Sequence, residues 1–217
     1  MHETDGMGHT LDATSSRTVS TCAILCPGPS LPKLWRPEYA PAFNDIVAVN
    51  TAGHRYMSHW LAFADVHIIQ PIRDGQIPPP RVGYICKRGH MSGPNCSDIS
   101  KCFPLLSKVP ESMQNELDPK CGFTFANALA WAQSIFEQIT VFGFDCSRGF
   151  TDFTGQPGDH SAFRWYKELI WIKAAWGRNL TVISDLDPAI REWLDDPRTK
   201  DSDLAALLGL DKAAVSA

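Results

Sequence analysis

Ser20-Thr-Cys-Ala-Ile-Leu-Cys-Pro-Gly-Pro-Ser-Leu31 is a short apolar run that breaks into a turn of Pro27, Gly28, Pro29 and Ser30. An uninterrupted apolar run that stops at a glycine-proline turn is what a strand buried on both faces of a parallel sheet looks like. Working outward, Ile46-Val-Ala-Val-Asn50 is β-branched and apolar behind the turn-forming Asn44-Asp45, and Trp60-Leu-Ala-Phe63 runs into Asp65. Further on, Phe125, Ala128, Leu129 and Ala132 fall at i, i+3, i+4 and i+7, which predicts a helix over Phe123–Ile135 leading into a strand at Ile139–Phe142. A second helix is expected over Ser161–Trp176, with Trp165, Leu169, Ile172 and Trp176 on one stripe and Gly177 at its end, followed by a strand at Leu180–Ile183. Strand and helix alternate. The expected fold is therefore α/β and Rossmann-like: a mostly parallel sheet with helices on both faces, which takes ligands at the carboxyl ends of its strands.

The 217 residues fit one such domain with appendages. Residues 1–18 are polar and lack the layout of a secretory signal, so they are expected to form a flexible leader. The nucleotide-binding domain is expected over 19–185, with a long irregular insert at 73–119, rich in Pro, Gly, Cys and Lys, in which only Val82–Cys86 resembles a strand. A small helical tail is expected over 186–217. Hydrophobic content of 44% with 20% charge places the chain among globular proteins. A net charge of -4 without a basic patch disfavours a nucleic-acid partner and favours a small-molecule nucleotide ligand. No apolar run is long enough to span a membrane. Seven cysteines, an odd number without an export signal, point to free thiols and a cytoplasmic location. Oligomeric state is not legible.

Chemistry concentrates at the expected strand ends. After the first strand, Gly28 lets backbone approach a ligand, and Ser30 offers a hydroxyl and a helix-start N–H, where partial positive charge attracts phosphate. The alternative is an ordinary strand-to-helix turn. Asn50, Asp65 and Asp145 end later strands; an Asp there can hold a ribose or a divalent cation such as Mg²⁺, or cap a loop. His160, on a loop after Asp145, titrates near neutrality and could take a proton from an acceptor hydroxyl, the alternative being a helix cap. Arg164 beside it reads as solvent-facing. In the insert, Cys86, His90, Cys96 and Cys102 could staple a loop around structural zinc, though no Cys-x-x-Cys knuckle is among them. In the tail, Ser202–Ser216 looks like the middle of a helix-turn-helix around Gly209, but its acidic neighbours disfavour contact with DNA.

Gly-Pro-Ser-Leu at 28–31, Val49-Asn-Thr-Ala52, Ala64-Asp65 and Val141-Phe-Gly-Phe-Asp145 occur in an order that resembles the Campylobacter-type sialyltransferases and the related DUF115 family. That superfamily includes archaeal 6-hydroxymethylpterin diphosphokinases and short phage-encoded proteins. The resemblance runs from about Ser20 to Ile183, apart from most of the insert, and rests on the pairing of Gly-Pro-Ser-Leu with Gly-Phe-Asp. It implies that Gly28, Pro29 and Ser30 face nucleotide phosphates and that Asn50 and Thr51 meet the nucleotide. It also implies that Asp65 and Asp145 line the same crevice, and that His160 acts as general base. The chain departs from the family where Thr-Ser-Gly precedes its long helix, carrying Gly122-Phe123-Thr124 there, with Thr124 left to border the nucleotide. The first glycine of the family turn is Pro27 here, which removes one N–H donor. The activity so implied is sugar transfer from a nucleotide-sugar donor to an acceptor hydroxyl. The alternatives are an ATP- and Mg²⁺-dependent diphosphotransferase and a non-catalytic nucleotide-binding or structural phage protein.

Overall fold

In the computed structural model, which describes residues 19–64, 66–86, 96–98, 124–145, 162–177 and 179–211, the sheet is entirely parallel. Its strands are β1 (Thr21–Leu25), β2 (Asp45–Val49), β3 (Trp60–Phe63), β4 (Gly83–Cys86), β5 (Cys96–Asp98), β6 (Gln138–Phe142) and β7 (Leu180–Ile183). They stand in the order β5-β4-β3-β2-β1-β6-β7. The chain steps in one direction from β1 to β5, then returns to lay β6 on the other side of β1. Such a reversal is the switch point at which doubly wound sheets open a crevice. The expected α/β, Rossmann-like arrangement is therefore present, and the expected strand and helix boundaries hold to within one or two residues.

Alternation along β1 explains why the sheet is covered twice. Successive side chains point to opposite faces, so Cys22, Ile24 and Cys26 enter one core while Ala23 and Leu25 enter the other. The first core is closed by α3 (Thr124–Gln133), α4 (Ala162–Ala175), α5 (Pro188–Asp195) and α6 (Asp201–Leu207). The second is closed by α1 (Leu31–Leu34), a 3-10 segment over Pro37–Ala42 and α2 (Ile69–Arg73) with their flanks, through Leu31, Trp35, Ile68 and Ile77. Ile24, Leu25, Leu61 and Leu129 are all but excluded from water, each contributing about 1.5–3 kcal/mol by its burial.

Two expectations change. The insert supplies the strand expected near Val82–Cys86 as β4, and beyond it a second that was not expected, β5, so that both extend the sheet past β3. The tail is no appendage: Trp193, Leu194, Leu204 and Leu208 are buried in the first core beside Trp171 and Ile172. Within it, the Lys173 ammonium lies 4.0 Å from the centre of the Trp193 ring and donates to the carbonyls of Trp193 at 2.7 Å and Asp196 at 3.2 Å, and to Thr199 Oγ1. A lysine on α4 thus ties down the connection between α5 and α6. Gly209, at φ 67°, ends α6 where the sequence marks a turn. The leader at 1–18 lies outside the described residues.

Candidate strand-end site

Register brings the expected site residues to one edge. Leu25 is level with Ala48 on β2 and with Phe142 on β6, so Gly28, Asn50 and Asp145 all follow within a few residues of the same level. The Phe125 and Phe144 rings stack at 4.6 Å, which places the start of α3, with buried Thr124, beside the end of β6. Ser30, Asn50, Thr124 and Asp145 therefore share the carboxyl edge of the sheet around the switch point.

What lies at that edge differs from an open phosphate cradle. Cys26 N–H donates to the Phe142 carbonyl at 2.9 Å and Gly28 N–H to the Gly143 carbonyl at 3.0 Å, so the turn after β1 is sewn to the end of β6. The contact requires glycine on both sides. A Cβ on Gly28 would collide with the Gly143 carbonyl oxygen and lie 2.6 Å from Asp145 Oδ2. Gly143 itself sits at φ 70°, where a side chain is strained, and a Cβ there would lie 2.6 Å from Leu31 Cβ. Over this seam, buried Asp145 accepts from Ser30 N–H at 2.7 Å, from the Ser30 hydroxyl, and from Asp185 N–H at 3.0 Å. The donors expected to face a nucleotide phosphate are thus committed within the protein, and the Asp145 carboxyl occupies the place at the helix start that an anion would take. Burial and then the neighbouring Asp145 charge push the Cys26 thiol well above its ordinary range, so it carries no thiolate chemistry here.

Asn50 is a polar residue of the edge that is not so committed. It is a non-glycine residue with positive φ, 48°, where β2 passes into a 3-10 turn over Asn50–His54. Asn tolerates this region better than most residues. Its Oδ1 is buried without a hydrogen-bond partner. A buried acceptor left unpaired costs on the order of 1–3 kcal/mol unless something donates to it. Thr51 follows in the same turn, half-buried.

His160, Asp65, His90 and Cys102 lie outside the described residues. Of the expected zinc ligands, Cys86 is a buried residue of β4, and Cys96 opens β5 opposite Tyr84. Among the described residues no group of three or more His, Cys, Asp or Glu side chains converges as metal ligands would, and no helix is long and apolar enough to cross a membrane. Sequence reasoning missed Asp185, whose backbone N–H completes the Asp145 set; nothing in the residue type signals a main-chain donor.

Comparison with family models, with curated proteins and with solved structures returns no match.

Proposed function

We propose that this chain binds a nucleotide at the carboxyl ends of β1, β2 and β6 and transfers a sugar from a nucleotide-sugar donor to an acceptor hydroxyl. The observation that carries the reading is Asn50: a strained backbone position and a buried, unpaired acceptor at the strand edge beside the switch point. An exocyclic amino group of a base or a ribose hydroxyl has the donor that this oxygen lacks. In this reading Gly28, Ser30 and Asp145 hold the turn rather than touch the ligand, and Thr51 and Thr124 border the nucleotide. His160 removes the acceptor proton, a role that rests on the resemblance to sialyltransferases.

The same hydrogen bonds weigh against the diphosphotransferase alternative. With Asp145 buried and accepting three hydrogen bonds from Ser30 and Asp185, little of its carboxylate is left to ligate Mg²⁺. The test is a thermal-shift panel of CMP, UDP, GDP and ATP, each with and without Mg²⁺. A ligand at a hundred times its dissociation constant stabilises the fold by about 2.7 kcal/mol. A shift with CMP or a nucleoside diphosphate, lost in Asn50→Ala, supports glycosyl transfer. A shift seen only with ATP and Mg²⁺ supports the diphosphotransferase, and no shift at all removes the nucleotide reading. His160→Ala is expected to keep binding and lose turnover.

A further inference from the structure

Among the described residues, the helices leave part of the second face of the sheet open. All of α3 to α6 pack on the first face, while α1, the 3-10 segment and α2 cover the second only near β1 to β4. On β7, Leu180 and Val182 pack toward the first core, so Thr181 and Ile183 face the other way, and Ile183 is 38% exposed. Where this bare strip meets α1 lies a groove of about 540 Å³ with Phe142, Phe43, Tyr39 and Ile183 among its walls and Lys33 and Arg36 on its rim. A volume of this order suits a small molecule.

Three features distinguish the groove from an incidental gap. Its aromatic wall is preformed: Trp35 holds the rings of Tyr39, Phe43 and Phe142 at 6.1, 6.1 and 5.0 Å between centroids. Rings fixed before binding spare a ligand the entropic cost of ordering them. Its charge is of one predominant sign. Lys33 and Arg36 are exposed, and among the described residues neither has an ion-pair partner; Glu38 is the single acid of the lining. Two cations against one acid make this rim positive on a chain whose net charge is -4. Finally, the groove's walls include Phe142 and Ile183, the last residues of β6 and β7, but neither Asn50 nor Thr124.

We propose that this groove binds a flat aromatic molecule bearing one acidic group, such as an aryl carboxylate or sulfonate. Its rings lie against Tyr39, Phe43 and Phe142, and its acid meets the Arg36 fork and the Lys33 ammonium. The site adjoins the carboxyl edge through Phe142 but uses none of the residues assigned to the nucleotide, and it does not depend on that reading.

The probe is 8-anilinonaphthalene-1-sulfonate, compared with N-phenyl-1-naphthylamine, which has the same rings without the sulfonate. On the folded wild-type chain the sulfonate is expected to bind saturably at one site. The double variant Lys33→Gln/Arg36→Gln should weaken it by about tenfold or more and leave the neutral compound within about twofold, because only a charge-assisted contact is removed. Ile183→Glu, on an exposed side chain, should weaken the sulfonate through repulsion and serves if the double variant folds poorly. Affinity for the sulfonate unchanged in both variants, or binding that never saturates, overturns the proposal. So does competition by CMP or UDP at the concentrations that stabilise the fold, which would merge the two sites. A wild-type dimer in sedimentation that Ile183→Glu splits overturns it as well, since the groove would then be a contact between copies.

Discussion

Asn50→Gly separates a ligand-binding role for this residue from a structural one, because the two readings predict opposite signs. Asn50 sits at φ 48° with Oδ1 buried and unpaired. Glycine occupies this backbone region freely, so the substitution relieves strain of about 1 kcal/mol. It also removes an unsatisfied buried acceptor, worth about 1–3 kcal/mol. Against this stands the extra chain entropy that glycine loses on folding, roughly 0.5–1 kcal/mol. The balance is a gain of about 1–3 kcal/mol, and for a chain of this size about 2–4 °C in melting temperature per kcal/mol. Urea denaturation checks it independently, since the transition midpoint should rise with the slope unchanged. Nucleotide binding, read as the thermal shift with CMP or UDP, should vanish in the same variant. A more stable protein that has lost its ligand is the signature of a residue kept strained for function. If Asn50→Gly lowers stability by more than about 1 kcal/mol, the side chain holds the turn together, and the reasoning that assigns its oxygen to a ligand fails.

The remaining predictions concern the scaffold around that edge. Ser30→Ala deletes one of three hydrogen bonds to buried Asp145 and should cost about 1–3 kcal/mol in urea denaturation; Gly28→Ala, whose Cβ meets backbone, should leave too little folded protein to measure. Lys173→Met leaves the Trp193 and Asp196 carbonyls without their ammonium donor and takes the charge off the Trp193 ring. It should cost about 2–4 kcal/mol, with early loss of amide protection in α5 and α6 by hydrogen exchange. Burial, followed by the Asp201 charge, pushes the Tyr166 phenol up to about 12. Its contribution to stability is therefore complete below the ordinary phenol value of 10.0 and is lost as pH climbs from there to about 12. Tyr166→Phe should flatten that alkaline decline relative to wild type, and equal slopes in the two proteins would discount it. Elemental analysis of protein purified in metal-free buffer tests Cys86, His90, Cys96 and Cys102 as zinc ligands: about one equivalent is expected of a structural site, and a small fraction of one dismisses it.

The sheet was legible where strands are mostly apolar and bounded by turn-forming residues. β1, β2, β3, β6 and β7 each carry that signal, and the apolar stripes of α3 and α4 gave the rhythm that makes the sheet parallel. β5 was not legible, because Cys96-Ser-Asp98 is three residues with one apolar side chain, and its pairing with β4 fixes it. The tail was read as helical, without the surface it packs on. Its helices carry Trp193, Leu194 and Leu204 on faces whose partner, α4, lies well before them in sequence, and a local pattern does not reveal which distant surface an apolar stripe will meet. Asp145 is the most instructive residue of the site. Sequence placed it correctly beside Gly28 and Ser30, yet two opposite roles fit that placement: open to a ligand, or closed over the turn. The choice was made by the Gly28–Gly143 contact, which joins positions 115 residues apart and leaves no signal in either stretch alone.

That closure constrains where a phosphate could bind. An anion approaching the turn after β1 meets the Asp145 carboxyl already hydrogen-bonded to the N–H at the start of α1. To take the Ser30 donors it would have to expel a buried acid, and an uncompensated buried charge costs several kcal/mol. Displacement would also part the Gly28–Gly143 seam on which Leu31 packs. A ligand that leaves the seam intact meets no such cost. Among the described residues the edge offers such a position at the end of β2, where Asn50 presents an unpaired acceptor. An acceptor recognises a base or a sugar, not a phosphate. A nucleotide bound as proposed would lie with its base or ribose over β2, and its phosphates would find their donors away from the first turn. Ser30→Ala should accordingly change stability while leaving the CMP or UDP affinity of the folded protein within about threefold, well under the loss expected for a charge-assisted contact. A loss of tenfold or more would return the phosphate to the Ser30 turn and refute the closed-seam account.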